Sequence, residues 1–224
     1  MTVVGYILAV AAAYLVGSIP FGFLMGRVCG IDVRKHGSGN VGATNVARSL
    51  GIGKGLAVLA LDALKGAAAV CLARYWLAGL FDVDPPQLME VLSGAAVILG
   101  HVSTPWLRFR GGKGVGSALG VWLVLAPVPT LIALGVWIVL VTIWRYVSLG
   151  SIAAAVALPC ALAAVNYGDL ANSTPKLVFA ALLAAMVIYT HRSNLRRLIA
   201  GTESKVSKRT EKEEAPDGDS APSE

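Results

Sequence analysis

A succession of long apolar runs separated by short basic loops limits what this chain can fold into. The runs cover Val3–Met25, Leu56–Leu80, Leu88–Val102, 115–126, 130–144, Leu149–Val165 and Leu177–Thr190. A bilayer core is about 30 Å thick and offers the backbone no hydrogen-bonding partner, so segments of about 20 apolar residues cross it as helices. The alternating pattern of a membrane barrel strand is absent. With 56% hydrophobic and 14% charged residues, the chain lies outside the range of soluble domains. The expected class is all-α: a polytopic membrane protein, a seven-helix transmembrane bundle with some short spans.

Two runs need argument. Val3–Met25 lacks the basic start and the small-residue cleavage site of a signal peptide, and is too long for its apolar region, so it reads as a retained span. From Val115 to Trp144 there are 30 mostly apolar residues, with Pro127 and Pro129 inside. As one helix they would reach about 45 Å, too long for the bilayer. Proline breaks helices, so two short spans, 115–126 and 130–144, are expected.

Charge sets the expected orientation. With seven spans, one face carries Arg27, Arg34, Lys35, Arg48, Lys54, Arg108, Arg110, Lys113, Arg145, Arg192, Arg196 and Arg197, and the other only Arg74 and Lys176. Twelve against two places the first face in the cytoplasm, the N-terminus outside and the C-terminus inside. Residues 1–201 form the membrane domain. The tail 202–224, with four basic and seven acidic residues, reads as a disordered cytoplasmic segment, with no catalytic role past its first two residues. Cys29, Cys71 and Cys160 are isolated and read as packing residues.

Four inner-face clusters carry polar chemistry. The first is Gly37-Ser-Gly-Asn-Val-Gly-Ala-Thr-Asn-Val-Ala-Arg48. Its Gly37-x-Gly39-x-x-Gly42 spacing matches a dinucleotide fingerprint, but no strand–helix–strand context surrounds it. A flexible polar loop would explain it; an anion-binding loop explains it better, because Ser38, Asn40, Thr44, Asn45 and Arg48 converge there. If a short helix starts there, Thr44 and Arg48 share a face.

The second cluster is His101 followed by Arg108-Phe-Arg-Gly-Gly-Lys113-Gly-Val-Gly-Ser117. It is no Walker loop, since Gly114 follows Lys113; a helix starting near Val115 would add its positive end to the site. The third is Arg145-Tyr-Val-Ser148-Leu-Gly-Ser151, where a span anchor and a helix cap are the plainer readings. The fourth is His191-Arg-Ser-Asn194-Leu-Arg-Arg197, which a lipid-facing basic patch would also explain. Asp62 and Lys65, three apart inside a span, read as a mutually neutralising pair supporting the bundle.

Such a site, rich in cations and amides and poor in acids, binds phosphates and stabilises oxyanions. The residues show no nucleophile triad and no metal-ligand cluster. The general base stays open among His101, His191 and a substrate phosphate oxygen. The competing class is a small membrane transporter or binder of anions or lipid headgroups, though no internal repeat of the kind transporters carry is visible.

The chain resembles the PlsY family, the bacterial acyl-phosphate-dependent glycerol-3-phosphate acyltransferases. The resemblance rests on Gly17-Ser-Ile-Pro-Phe-Gly22, Gly37 through Asn45 with Arg48, Gly100-His101, Phe109 through Val115, Arg145 through Leu149, His191 through Asn194 with Arg197-Leu198, and Gly201-Thr-Glu203. It departs at Gly116-Ser117, where the family usually has Ala-Thr, and at Ser103-Thr-Pro105. The His-x-x-x-x-Asp arrangement of the other glycerolipid acyltransferase class is missing: Pro105, Asn40 and Leu195 stand four residues after the three histidines.

The resemblance implies an enzyme of the bacterial inner membrane with its active site on the cytoplasmic side. It would transfer an acyl group from acyl phosphate to the sn-1 hydroxyl of glycerol 3-phosphate, giving lysophosphatidate and phosphate. The implied partners are acyl phosphate, glycerol 3-phosphate and membrane lipid, with no cofactor, metal or nucleic acid. Ser38, Lys113, His101 and His191 are the implied catalytic residues. Ser38, Asn40, Lys113 and Ser148 would hold the donor or its leaving phosphate; Thr44, Asn45, Arg48, Arg145, His191 and Asn194 would position the acceptor. His101 would orient the loop or shuttle a proton.

Overall fold

The computed structural model describes residues 1–206, and these contain helices and no β-strand. The tail 202–224 was expected to be disordered. Its first residues, 202–206, are instead ordered against the bundle, because the buried Glu203 carboxylate accepts from Ser148, Asn194 and Arg197; the rest of it lies outside the described residues. Helix α1 (Thr2–Ser18) and helix α2 (Phe21–Val28) share the first apolar run. The run was expected as a single helix; Pro20 lacks an amide proton and divides it. After the polar stretch 29–42 come the short helix α3 (Ala43–Leu50) and α4 (Ile52–Leu72). A π-helical turn, Ala73–Leu77, carries α4 into α5 (Ala78–Leu80). Then follow α6 (Gln87–Val102), α7 (Val115–Leu125), α8 (Pro127–Trp144), α9 (Val147–Val165), α10 (Leu170–Thr190) and α11 (Arg192–Ile199).

Pro127 and Pro129 do separate two helices, but α8 begins on Pro127 itself rather than at 130. The first turn of a helix needs no amide proton, so proline fits there. Helix α10 starts at Leu170 rather than Leu177, with Pro175 accommodated in its opening turns. Among the described residues, six helical stretches are long and apolar enough to cross a membrane, and Val115–Leu125 is a shorter apolar one. Its 11 residues reach only about 16 Å. Ser117, Ala118, Gly120, Val121, Trp122 and Leu125 are buried, so α7 lies largely inside the bundle.

Lipid is as apolar as leucine, so the bundle depends on close packing rather than on escape from water. Trp122 of α7 stacks on Phe179 of α10 with ring centroids 5.1 Å apart. Val97, Ile98, Val121, Leu158, Leu162, Leu183 and Val187 close around them. Helices α1 and α6 approach backbone to backbone: side chains at Gly17 or Gly100 would strike Val97 or the Tyr14 carbonyl. The cysteines are free, and Cys160 is exposed on the bundle rather than packed.

Cross-links show which loops share an end. At one end, Tyr14 Oη donates to the Ser103 carbonyl (2.6 Å), Thr104 Oγ1 to the Ser18 carbonyl (2.6 Å) and Arg48 to the Ser204 carbonyl (3.0 Å). At the other, Arg74 pairs with Glu90 at 2.7 Å, Lys176 Nζ donates to the Leu125 carbonyl (3.0 Å) and Gln87 to that of Asn172 (2.8 Å). Arg74 and Lys176, the two basic residues assigned to the far face, are thus at the far end from the polar loops.

Candidate functional site

The polar stretch before α3 is held by one side chain. Asn45 is only 2% exposed. Its Oδ1 accepts from Ser38 N (2.8 Å) and Ser38 Oγ (3.2 Å), while Nδ2 donates to the carbonyls of Val33 (2.9 Å) and His36 (3.0 Å). An amide offers two donors and one carbonyl oxygen, so this one is committed to shaping the loop. Gly37 and Gly39 take left-handed φ of +55° and +71°, which lets the loop fold back on Asn45. Asn40 Oδ1 accepts from Gly42 N at 2.8 Å and turns the chain into α3. The dinucleotide spacing therefore leads into a helix but follows no strand. The Arg34 guanidinium beside Asp32 holds that carboxyl well below the usual carboxylate range. Thr44 is partly buried on α3, one turn from the exposed Arg48.

The glycine-rich loop folds back on the end of α6: Gly111 N donates to the Val102 carbonyl (2.9 Å) and Gly112 N to that of His101 (3.0 Å). It delivers Lys113 to the first turn of α7, where the helix offers its positive end. Lys113 Nζ donates to Asn194 Oδ1. Burial pushes the Lys113 ammonium down to about 8; Glu203 opposes the shift, and Arg197 and Arg48 add to it.

Asn194, on α11, is buried and bridges: its Nδ2 donates to Glu203 Oε1 at 2.6 Å. The same oxygen accepts from Ser148 Oγ (2.8 Å) at the start of α9, and Oε2 accepts from Arg197 Nε (2.7 Å). Burial pushes the Glu203 carboxyl up, but these three donors outweigh it and hold it below its ordinary range. Residues 203–206 then run between two cations. Arg48 donates to the Ser204 carbonyl; Arg145 donates to that of Val206, whose amide donates back to the Arg145 carbonyl at 2.8 Å. His191 is buried between α10 and α11, and its Nδ1 donates to the Val187 carbonyl (2.8 Å). Burial, followed by the charge of Lys113, pushes its pKa down to about 4. The ring is neutral at physiological pH, with Nε2 unprotonated.

The structure thus gathers Arg48, Lys113, Arg145, Ser148, His191 and Asn194 at one end of the bundle. Ser38, Asn40, Thr44 and Asn45 form an adjoining wall, joined to the rest through α3 and Arg48. His101 is set apart beneath the glycine loop, against Ser117 and Asp62. Sequence reasoning had Arg197 in the fourth polar cluster and left the first two tail residues, Glu203 among them, open, but gave neither a place in the site. Glu203 reads as the first acid of an acidic tail; only Gly201-Thr-Glu203 in the family resemblance singled it out. Four cations are tied into residues 194–206, Arg197 to the Glu203 carboxylate, Lys113 to Asn194, and Arg48 and Arg145 to backbone carbonyls, and such a surplus of positive charge receives anions, phosphate oxygens above all.

Residues 7–201 match the family profile described as glycerol-3-phosphate acyltransferase. A glycerol-3-phosphate acyltransferase of Geobacter metallireducens is 50% identical over 199 residues, covering 89% of this chain and 96% of its own. That of Trichlorobacter lovleyi is 49% identical over 197 residues, covering 88% and 95%. A crystal structure of PlsY, an integral membrane glycerol 3-phosphate acyltransferase, in its glycerol 3-phosphate form, matches with a TM-score of 0.79 at 38% identity, covering 90% of this chain and 96% of its own. The lysophosphatidic acid form of that protein matches with a TM-score of 0.78 at 37% identity, covering 90% and 95%.

Proposed function

This chain belongs to the glycerol-3-phosphate acyltransferase family of integral membrane proteins, and on that footing we propose that it acylates the sn-1 hydroxyl of glycerol 3-phosphate from acyl phosphate. The products are lysophosphatidate and inorganic phosphate, an early step of phospholipid synthesis. The enzyme sits in the bacterial inner membrane with seven spans, α7 and α8 counted separately, its N-terminus outside and its polar end in the cytoplasm. The family assignment favours this enzyme over the transporter that composition left open.

The observation that supports the donor is the Lys113–Asn194–Glu203 network flanked by Arg48, Arg145 and Arg197. An acyl phosphate is already activated, so its transfer needs charge support on the departing phosphate rather than an enzyme nucleophile. Lys113, Ser38, Asn40 and Ser148 line the donor side, with Lys113 at the positive end of α7. Arg48 and Arg145, with Thr44, take the acceptor phosphate, which displaces the carbonyls of Ser204 and Val206. Asn194 holds Lys113 in place, and Asn45 acts by shaping the Ser38 loop. The sn-1 oxygen attacks the acyl carbon, the carbon–oxygen bond to phosphate breaks, and the hydroxyl proton passes to Nε2 of the neutral His191. His101 serves the glycine loop from beneath.

The test uses purified protein in detergent with palmitoyl phosphate and glycerol 3-phosphate, following phosphate release and lysophosphatidate. Turnover with palmitoyl phosphate and none with palmitoyl-CoA is expected. Lys113→Ala should lower kcat by about 100-fold or more, the usual loss for a transition-state charge donor. Parental rates from folded Lys113→Ala protein would remove Lys113 from the mechanism; turnover with palmitoyl-CoA would overturn the donor.

A further inference from the structure

Asp62 and Lys65 lie inside α4 and take no part in the reaction steps above. Their contacts nevertheless lead to it. Lys65 Nζ is 2.7 Å from Asp62 Oδ1 and donates at 2.9 Å to the Ile19 carbonyl, beside the break between α1 and α2. Asp62 Oδ1 lies 3.3 Å from His101 Nδ1 at the end of α6; it is a buried carboxylate oxygen whose close approaches to Lys65 and His101 are ionic rather than aligned hydrogen bonds. Ser117 Oγ, in the first turn of α7, stands 3.2 Å from the same nitrogen. Asp62, Lys65, His101 and Ser117 are all buried. The opposite edge of the imidazole bears on the glycine loop: a Cβ on Gly112 would run into His101 Nε2. Gly112 also donates to the His101 carbonyl, and Lys113 is the next residue.

A buried carboxylate within reach of Nδ1 favours the tautomer protonated there, and Ser117 Oγ holds the same nitrogen in place. The ring in turn sets where Gly112 can lie, and hence where Lys113 leaves the loop. Support of the bundle alone does not call for charges. A buried ion pair exchanged for apolar side chains of similar volume is often neutral or stabilising, whereas removal of one partner is costly. Two ionised groups inside a span therefore need a reason beyond packing, and the imidazole at 3.3 Å supplies one.

We propose that Asp62, neutralised by Lys65, is a positioning residue for the donor-phosphate subsite, acting through His101 to seat Gly112 and Lys113. The proposal rests on the acyl-phosphate reading above. It places the effect on the donor side, because Asp62 touches neither Arg48 nor Arg145, which take the acceptor.

The test compares the full-length parent, Asp62→Leu/Lys65→Met and His101→Gln in detergent. Removing both charges together avoids stranding one, so the double variant is expected to fold and to keep the parental melting temperature. Its KM for palmitoyl phosphate should rise about tenfold, as expected for loss of one charge-assisted contact, with kcat lowered because Lys113 is mis-seated and KM for glycerol 3-phosphate unchanged. Adding His101→Gln to the double variant should cause little further rise, because the two act in series. Equal changes in both KM values, or none, would overturn the proposal. Nitrogen-15 spectra of histidine-labelled protein give a readout independent of turnover. The His101 signal, identified by its loss in His101→Gln, should report Nδ1–H in the parent and change in the double variant; an unchanged tautomer would also overturn it. A parent that forms no lysophosphatidate defeats the reaction assignment, while the tautomer result still decides the role of Asp62.

Discussion

Replacing Glu203 by Gln tests the site where sequence reasoning was weakest. The carboxylate accepts from Ser148, Asn194 and Arg197 at 2.8, 2.6 and 2.7 Å. Gln has nearly the same shape but one acceptor oxygen. With that oxygen toward Ser148 and Asn194, its amide nitrogen meets the Arg197 guanidinium, donor against donor. Flipped, it keeps Arg197 and loses the other two. The milder arrangement loses one charge-assisted bond, about 1.5–3 kcal/mol net, and leaves mismatched donors, for a total of about 3 kcal/mol. For a chain of this size that is roughly 6–12 °C in melting temperature. The pH dependence carries a second signature. The Glu203 carboxyl titrates lower in the folded protein than in the unfolded chain. Its stabilisation is therefore complete above the unfolded value of about 4.3 and fades as pH falls toward the folded one. Melting followed by tryptophan fluorescence in detergent, from neutral to acid pH, should show an acid decline in the parent that is shallower in Glu203→Gln. A variant melting within about 2 °C of the parent, with the same acid decline, would refute the network's contribution.

Other outcomes follow from the same geometry. If Lys113 must be charged, kcat falls as pH rises through about 8, its lowered value; Lys113→Arg should move that limb upward by more than about two pH units, since arginine stays protonated throughout. His191→Gln removes the proposed proton acceptor and should lower kcat by about 100-fold or more; a loss below about tenfold would move the proton to a substrate phosphate oxygen. Trp122→Ala empties a position only 1% exposed and stacked on Phe179, so a loss of about 3–5 kcal/mol is expected, measured as a lowered melting temperature with KM values little changed.

The membrane class, the short helix after the glycine loop and the grouping of basic loops at one end were legible in the chain itself. These depend on local composition: apolar runs of span length, proline between two helices, and arginine and lysine kept to alternate loops. Residue type also pointed to the phosphate chemistry, because cations and amides without acids or nucleophiles suit few other ligands. What each of those side chains touches was not legible. Asn45 is a conspicuous polar residue in an anion-binding motif, yet its amide is taken up by Ser38, Val33 and His36. Glu203 looks like part of an acidic tail, yet it joins α9 to α11. Asp62 looks like half of an internal pair, yet it reaches His101 39 positions along the chain. Sequence spacing constrains neighbours within a helix, whereas hydrogen bonds between helices depend on how the bundle closes. The chain alone therefore determined which chemistry collects at the cytoplasmic end we propose, and only the tertiary packing decided which residues are left to meet substrate and which are spent holding the others in place.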